Sequence, residues 1–369
     1  MENFGQLGVN ANLVKALEEN KIIKPSEIQQ QVIPYLLKNN TDFIGQAQTG
    51  TGKTVAFSIP LLQRIKPNEK HIQVLVLSPT RELCQQIAKQ IFKMTRYTEK
   101  VFAEAVYGGE KIDIQIRNLT RPTQVVVATP GRLMDLLERK ALDISQVKTL
   151  VLDEADEMLS MGFKDAIDTI VEQIHEDNIK WLFSATMPDS LIRLTEKYMA
   201  PDTHTVSVSK STEINSKIEH QFFICENKQK FDYVHHFLQS QGAARGIVFT
   251  RTRDDAQMVA KRLKAKGVET EAIHGDLDQK ERDKVMRAFK NKKIQVLVAT
   301  DISARGIDIE GLSFVVHYQL PDQIEYYTHR SGRTARAGKR GISISFVTAA
   351  ELKIISQIEK ILKIKFHKV

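Results

Sequence analysis

Cysteine is nearly missing from this chain of 369 residues: Cys84 and Cys225 are the only two. Two thiols are too few for a disulfide scaffold or for a metal site built from cysteine alone. Also missing is any apolar run near the roughly 20 residues that a membrane-spanning helix needs. Residues 1–10 lack the basic-then-apolar layout of a secretory signal. No short-period repeat and no low-complexity tract occurs. These absences predict a soluble, cytoplasmic protein with no membrane anchor. What is present, 42% hydrophobic and 27% charged residues, fits two folded domains of ordinary size.

Basic residues exceed acidic ones by eight, and the excess is uneven. Residues 1–210 carry a net charge of −1, and residues 211–369 carry +9. A basic half beside a neutral half is the electrostatic pattern of polyanion binding, although a solvated lysine-rich surface has the same composition.

Short β-branched runs at 73–77, 124–128, 149–152, 181–183, 246–250, 269–273, 296–299 and 314–317 alternate with helical patterns such as 82–94 and 254–266. Near-continuous apolar strands separated by helices predict an α/β fold with parallel sheets covered on both faces. Residues 207–216 (SVSKSTEINS) are polar and carry no strand-length apolar repeat. The expected organisation is therefore a first domain over 1–208, a linker over 209–216 and a second domain over 217–369. Near the end, Ile354, Ile355, Ile358, Ile361 and Leu362 recur at helical spacing, so 351–369 is expected to form a terminal helix packed on the second domain.

The segment Ala47-Gln48-Thr49-Gly50-Thr51-Gly52-Lys53-Thr54 follows a brief apolar stretch at 42–45 and has the form of a phosphate-binding loop. Its glycines let backbone N–H groups wrap phosphate oxygens with no Cβ in the way. Lys53 would reach the β- and γ-phosphates, and the Thr54 hydroxyl would take Mg²⁺. The following helix would turn its positive end towards the same anion. Further on, the apolar run at 149–152 ends in Asp153-Glu154-Ala155-Asp156. Acids at the carboxyl edge of a parallel sheet sit where such folds bind ligands. Asp153 can hold Mg²⁺ partly through water, and Glu154 can orient or deprotonate an attacking water.

With these two elements the chain resembles the DEAD-box family of ATP-dependent RNA helicases, whose signature is the tetrapeptide at 153–156. The resemblance runs from Phe4 to about Phe346 and implies two tandem RecA-like domains. Lys24-Pro25-Ser26-Glu27-Ile28-Gln29 resembles the family's adenine-reading motif, with Gln29 on the adenine edge and Phe4 packing on the base. Ser184-Ala185-Thr186 resembles the motif that couples nucleotide state to strand separation through the acidic box, including Asp156. In the second half, His329-Arg330-Ser331-Gly332-Arg333-Thr334-Ala335-Arg336 resembles HRxGRxxR. Guanidinium suits a transferring phosphoryl group because it stays charged and can bind two oxygens at once, which makes Arg333 and Arg336 the expected arginine finger residues. Ala335 stands where the family commonly has glycine. The segment at 299–308 resembles ATDxxARGxD, placing Gly306 and Asp308 at the nucleotide and Thr300 nearer the nucleic acid. Since loop and finger lie on opposite sides of the linker, hydrolysis is expected to require both domains.

The same resemblance implies an RNA track. Pro79, Thr80 and Arg81, then Gly108 and Gly109, then Thr129 and Arg132 are the matching positions in the first domain; Gln279 and Arg282 match in the second. Hydroxyls, glycine backbone and arginines would hold phosphate and sugar without reading sequence. The implied activity is RNA-stimulated ATP hydrolysis with Mg²⁺, coupled to local, non-processive RNA duplex separation or RNP remodelling. Ribosomal precursor particles or RNA turnover are the implied setting, and a monomer the expected state. Two other activities remain open on the residues alone: an ATP-controlled RNA clamp or scaffold, and a DNA helicase or translocase. His235-His236 has no convergent ligands, Cys84 reads as a small packed side chain, and Cys225 carries no signal.

Overall fold

The computed structural model describes residues 3–48, 50–208, 217–304, 312–335 and 340–369. The chain divides into two compact units, Met1–Ser209 and Lys210–Val369. In the first, α1 (Ala11–Glu19) and α2 (Glu27–Lys38) precede β1 (Phe43–Ala47), α3 (Lys53–Arg64), β2 (Val74–Leu77) and α4 (Arg81–Met94). Next come β3 (Ala103–Val106), α5 (Ile112–Leu119), β4 (Val125–Ala128), α6 (Pro130–Glu138) and β5 (Thr149–Asp153). The unit closes with α7 (Ala155–Ser160), α8 (Lys164–Gln173), β6 (Ile179–Ser184), α9 (Asp189–Tyr198) and β7 (His204–Val208).

These strands form one parallel sheet in the order β3-β4-β2-β5-β6-β1-β7. Alternate residues of a strand face opposite sides of the sheet. Accordingly Val74 and Val76 join one core cluster, with Phe43, Phe57, Trp181 and Phe183, while Leu75 and Leu77 join another, with Leu150 and Leu152. Both faces are covered, which is why the central strands β2 and β4 are apolar at every position. The register keeps the strand ends level: Leu77 pairs with Ala128 and Leu152, Val106 with Ala128, Asp153 with Phe183, and Gln46 with Ser184.

The second unit contains β8 (Ile218–Ile224), α10 (Lys230–Ser240), β9 (Gly246–Thr250), α11 (Arg253–Ala265), β10 (Thr270–Ile273) and α12 (Gln279–Lys290). It continues through β11 (Val296–Thr300), α13 (Asp301–Ala304), β12 (Phe314–His317), α14 (Ile324–Ser331), β13 (Gly341–Val347), α15 (Leu352–Leu362) and β14 (Phe366–Lys368). Its parallel sheet has the order β10-β11-β9-β12-β13-β8-β14. Among the described residues no helix is long and apolar enough to cross a membrane.

Five strands, β3, β7, β8, β13 and β14, lack the apolar run that would have marked them. β3 and β7 hold polar positions and lie at or near the sheet edge, and β13 buries Ser343 and Ser345 instead of aliphatic residues. The polar stretch at 207–216 thus begins inside β7, whose pairing with β1 satisfies its backbone; residues 209–216 lie outside the described set. The terminal stretch also differs from a single helix. α15 packs Ile355 and Ile358 against Leu320 and Tyr327, then the chain turns at Lys363 (φ +52°) and returns as β14 beside β8.

Candidate functional site

The first turn of α3 is held by α2. Gly52, at φ +94°, caps α3 in the left-handed region, and a Cβ there would lie 2.3 Å from Gln29 Nε2. Conformation and space both demand glycine. Gln29 Nε2 donates to Gly52 O at 3.1 Å, Gln29 Oε1 accepts from Ser26 N at 2.9 Å, and Ser26 Oγ donates to Thr51 O at 2.7 Å. Thr51 Oγ1 in turn donates to Gln48 O at 2.7 Å. A primary amide offers two N–H groups and two lone pairs, so Gln29 can support the loop and still meet a second partner. Lys53 is 5% exposed and its Nζ donates to Ala47 O at 2.6 Å. To grip phosphate it would exchange that carbonyl for phosphate oxygens. Phe4 departs from its expected role as a stacking ring: it is 1% exposed, packed in the core near Leu7 and Val9. Thr49 lies outside the described residues.

Asp153 ends β5, and burial pushes its carboxyl up to about 7, with the Lys53 ammonium pulling the other way. Its Oδ1 accepts from Glu154 N at 3.1 Å. Glu154 has φ +53°, a left-handed conformation that costs a non-glycine residue about 1 kcal/mol. This turn lets α7 start immediately after the strand. Asp156 is 8% exposed, and its Oδ2 accepts from both the Thr186 amide (2.9 Å) and the Thr186 hydroxyl (2.7 Å). Ser184 Oγ accepts from Asp156 N at 3.4 Å and donates to Thr186 O at 2.7 Å. The acidic box and the Ser-Ala-Thr segment are therefore one hydrogen-bonded assembly across β5 and β6.

The residues expected to face RNA follow β2, β3 and β4, on the neighbouring half of the same carboxyl edge of the sheet. Thr80 caps α4, accepting from Leu83 N at 3.3 Å, and Pro79 precedes it; Thr129 stands at the start of α6. Gly109, at φ +84°, turns the chain after β3 beside Gly108. Two helix N-termini and a glycine turn thus offer backbone N–H groups along one edge. The arginines are placed differently from the expectation. Arg132 donates through both terminal nitrogens to Glu110 O (3.1 Å each) and through Nη1 to Gln115 Oε1 (2.9 Å), and its Nε lies 3.5 Å from Asp135. Arg81 lies over the Tyr107 ring at 4.8 Å, and Gln85 Nε2 donates to the Tyr107 hydroxyl at 2.7 Å. Tyr107, Glu110 and Gln115 were not singled out from the sequence. The available signal was Gln115, a polar residue on the face of α5 that carries Ile112, Ile116 and Leu119.

In the second unit, Gln279 Nε2 donates to Asp283 Oδ1 at 2.8 Å and Arg282 Nη2 to Ser303 O at 2.8 Å. Ser303 Oγ accepts from the amide of Thr300, a residue 6% exposed, so Arg282 and Thr300 share one support. Arg330, overlooked between His329 and Ser331, is 1% exposed and forms a two-pronged pair with Asp301 at 2.5 and 2.6 Å. Its Nη1 also donates to Gln319 O at 2.7 Å. This anchor fixes the end of α14 from which Arg333 follows. Ala335, in the usual glycine position, has φ +57°. Gly306, Asp308 and Arg336 lie outside the described residues.

Comparison with known proteins agrees with this arrangement. A family model described as DEAD/DEAH box helicase matches residues 26–194, and one described as helicase conserved C-terminal domain matches 229–338. The ATP-dependent RNA helicase CshA of Listeria monocytogenes is 42% identical over 365 residues, covering 98% of this chain and 69% of that protein. The DEAD-box ATP-dependent RNA helicase CshA of Streptococcus pneumoniae is 43% identical over 361 residues, covering 98% and 68%. Among solved structures, S. cerevisiae Dbp5 bound to RNA and ADP BeF3 matches with a TM-score of 0.90 at 33% identity, covering 100% of this chain and 96% of that one.

Proposed function

The chain belongs to the DEAD-box family of ATP-dependent RNA helicases, and on that premise we propose that it opens short RNA duplexes locally, or remodels RNPs, without travelling along a strand. The observation that carries this reading is the row of strand ends in the first unit. The carboxyl ends of β1, β5 and β6 and the helix starts and turns after them hold Lys53, Asp153, Glu154, Asp156 and Thr186; those after β2, β3 and β4 hold Thr80, Gly108, Gly109 and Thr129. ATP and RNA would meet adjacent segments of one rigid edge, so a change at one is felt at the other.

In this reading Lys53 and the loop N–H groups bind phosphate, Gln29 reads adenine, and Glu154 positions or deprotonates the attacking water. Asp153 and Thr54 would hold Mg²⁺. The fit rests on Asp153: a carboxyl that burial keeps reluctant to ionise is restored to its charged form by a nearby dication. Held by these two residues, the ion would supply positive charge against the negative charge of the γ-phosphoryl group. Arg333, Arg336, Gly306 and Asp308 would complete the ATPase from the second domain, with Gln279, Arg282 and Thr300 extending the RNA track. The working domains would be 1–208 and 217–369, joined by 209–216. We place the protein as a cytoplasmic monomer acting on ribosomal precursors or in RNA turnover.

A series of RNA duplexes of rising length, measured under single-turnover conditions with ATP, tests the proposal. Separation should fall steeply with duplex stability, and RNA affinity should weaken with salt at a log–log slope of about −0.7 per neutralised phosphate. Efficient opening of long, stable duplexes from one binding event would refute the local mechanism.

A further inference from the structure

Gln115 joins the three candidate RNA-facing segments of the first unit at one buried point. It is 1% exposed, and every polar atom is engaged. Nε2 donates to Tyr107 O at 3.0 Å and to Glu110 Oε2 at 3.1 Å, and Oε1 accepts from Arg132 Nη1 at 2.9 Å. Tyr107 immediately precedes Gly108 and Glu110 immediately follows Gly109, so the amide grips both sides of the glycine pair. Arg132 adds its two bonds to Glu110 O from the first turn of α6. Tyr107 continues the network to α4, through Gln85 on its hydroxyl and Arg81 over its ring.

We infer that Gln115 is a positioning residue for RNA: it sets the shape of the 107–110 turn and its spacing from the starts of α4 and α6, without touching RNA itself. The inference rests on the RNA-facing reading given above. The physical reason is that Arg132 is engaged by internal hydrogen bonds and Arg81 is held over the Tyr107 ring, so much of the grip on phosphate falls to backbone N–H groups at Gly108, Gly109 and the two helix starts. Backbone donors cannot reach out as a long side chain can. Their aim depends on the turn being held, and oriented donors lose binding when misplaced by a fraction of an ångström. Glutamine suits the post because only a primary amide can donate twice and accept in one plane. Leucine, close in shape, supplies none of these bonds.

The test compares the full chain with its Gln115→Leu variant in steady-state ATPase assays, using poly(U) as the RNA probe. The concentration of RNA giving half-maximal stimulation should rise about tenfold. The RNA-saturated rate, the RNA-independent rate and the half-saturating ATP concentration should stay within twofold. Hydrogen exchange should quicken at amides 107–111 and hold in β5 and β6. An unchanged RNA requirement in the folded variant would overturn the inference, as would an equal loss of the RNA-independent rate, which marks a general structural defect. Should Gln115→Leu fail to fold, Glu110→Ala removes one of its three bonds and leaves the backbone acceptors. That variant should raise the RNA requirement two- to threefold, and no change there would overturn the inference. A wild-type rate indifferent to RNA would instead defeat the underlying reading.

Discussion

Thr186 binds a single oxygen of Asp156 twice, through its amide at 2.9 Å and its hydroxyl at 2.7 Å. The two residues are 30 positions apart in the chain and end up on neighbouring strand ends because β5 pairs with β6. The hydroxyl bond is the only part of this clasp that a side-chain substitution at Thr186 removes. Thr186→Val keeps shape and amide, so ATP hydrolysis should fall less than threefold while duplex separation per ATP falls at least tenfold. Parallel measurement of phosphate release and strand separation gives that ratio; an unchanged ratio refutes the coupling role.

Glu154→Gln should retain ATP and RNA binding and lose most turnover. The substitution preserves size and the left-handed turn, and leaves Asp153 in place, but an amide cannot accept a proton from water. A loss of about 10²–10⁴ in rate is the scale for a positioned base. Equilibrium binding of a nonhydrolysable ATP analogue, set beside steady-state turnover, checks both halves.

Gln29→Ala should lower the preference for ATP over GTP and weaken both nucleotides. The first effect follows from its proposed place at the adenine edge, the second from its bond to Gly52 O, which steadies the phosphate loop. Initial rates with the two nucleotides separate the effects. Loss of affinity with selectivity intact would leave Gln29 as loop support alone.

Asp301→Ala should selectively destabilise the second unit. It strips the carboxylate from Arg330, which is buried and keeps its bond to Gln319 O. Because Asp301 is 22% exposed, the loss should fall below the roughly 3–5 kcal/mol typical of breaking a fully buried ion pair. Native-state hydrogen exchange in β9 and β11 should show the loss. Trp181, the only tryptophan, lies in the first unit, so its fluorescence transition should stay within about 0.5 kcal/mol of wild type, as additivity of distant sites expects.

The second unit should also lose stability in mild acid. Burial holds the imidazole of His220 down to about 4, and burial with the nearby Arg330 charge holds His317 well below its ordinary value. The ordinary value is about 6.5. Between pH 6.5 and 4 the unfolded chain therefore binds more protons than the folded one, so stability is full above 6.5 and declines as pH falls. For His220 the eventual loss is about 3 kcal/mol, at 1.36 kcal/mol per pK unit. Exchange protection in β8 and β12 should drop between pH 7 and 5, and His220→Phe should flatten the drop.

Much of the first unit is legible in one dimension. Runs such as 74–77 and 125–128 are apolar at every position because both sheet faces are covered, and Lys53 and Asp153 declare themselves by their local company. Arg132 shows where such reading stops. Its motif and charge suggest a phosphate ligand, yet its partners are the carbonyl of Glu110 and the amide of Gln115, 22 and 17 residues earlier. Nothing beside Arg132 in the chain announces them. Phe4 is similar: an aromatic at the right offset, yet buried in the core of the first unit.

By itself the sequence determined the chemistry available and the alternation of strands and helices, since residue type and local periodicity are properties of neighbouring positions. It also determined where glycine was indispensable, because Gly52 needs a backbone angle that other residues resist. Only the tertiary structure decided lateral order, placing β5, β6 and β1 together and β2, β4 and β3 together. A strand's alternation says which side chains face each layer, but its edges are backbone N–H and C=O groups common to every residue. Which strand lies beside which is settled by the packing of crossover helices and the shared core, and with it whether a given carboxylate finds Thr186 and a given guanidinium finds Gln115.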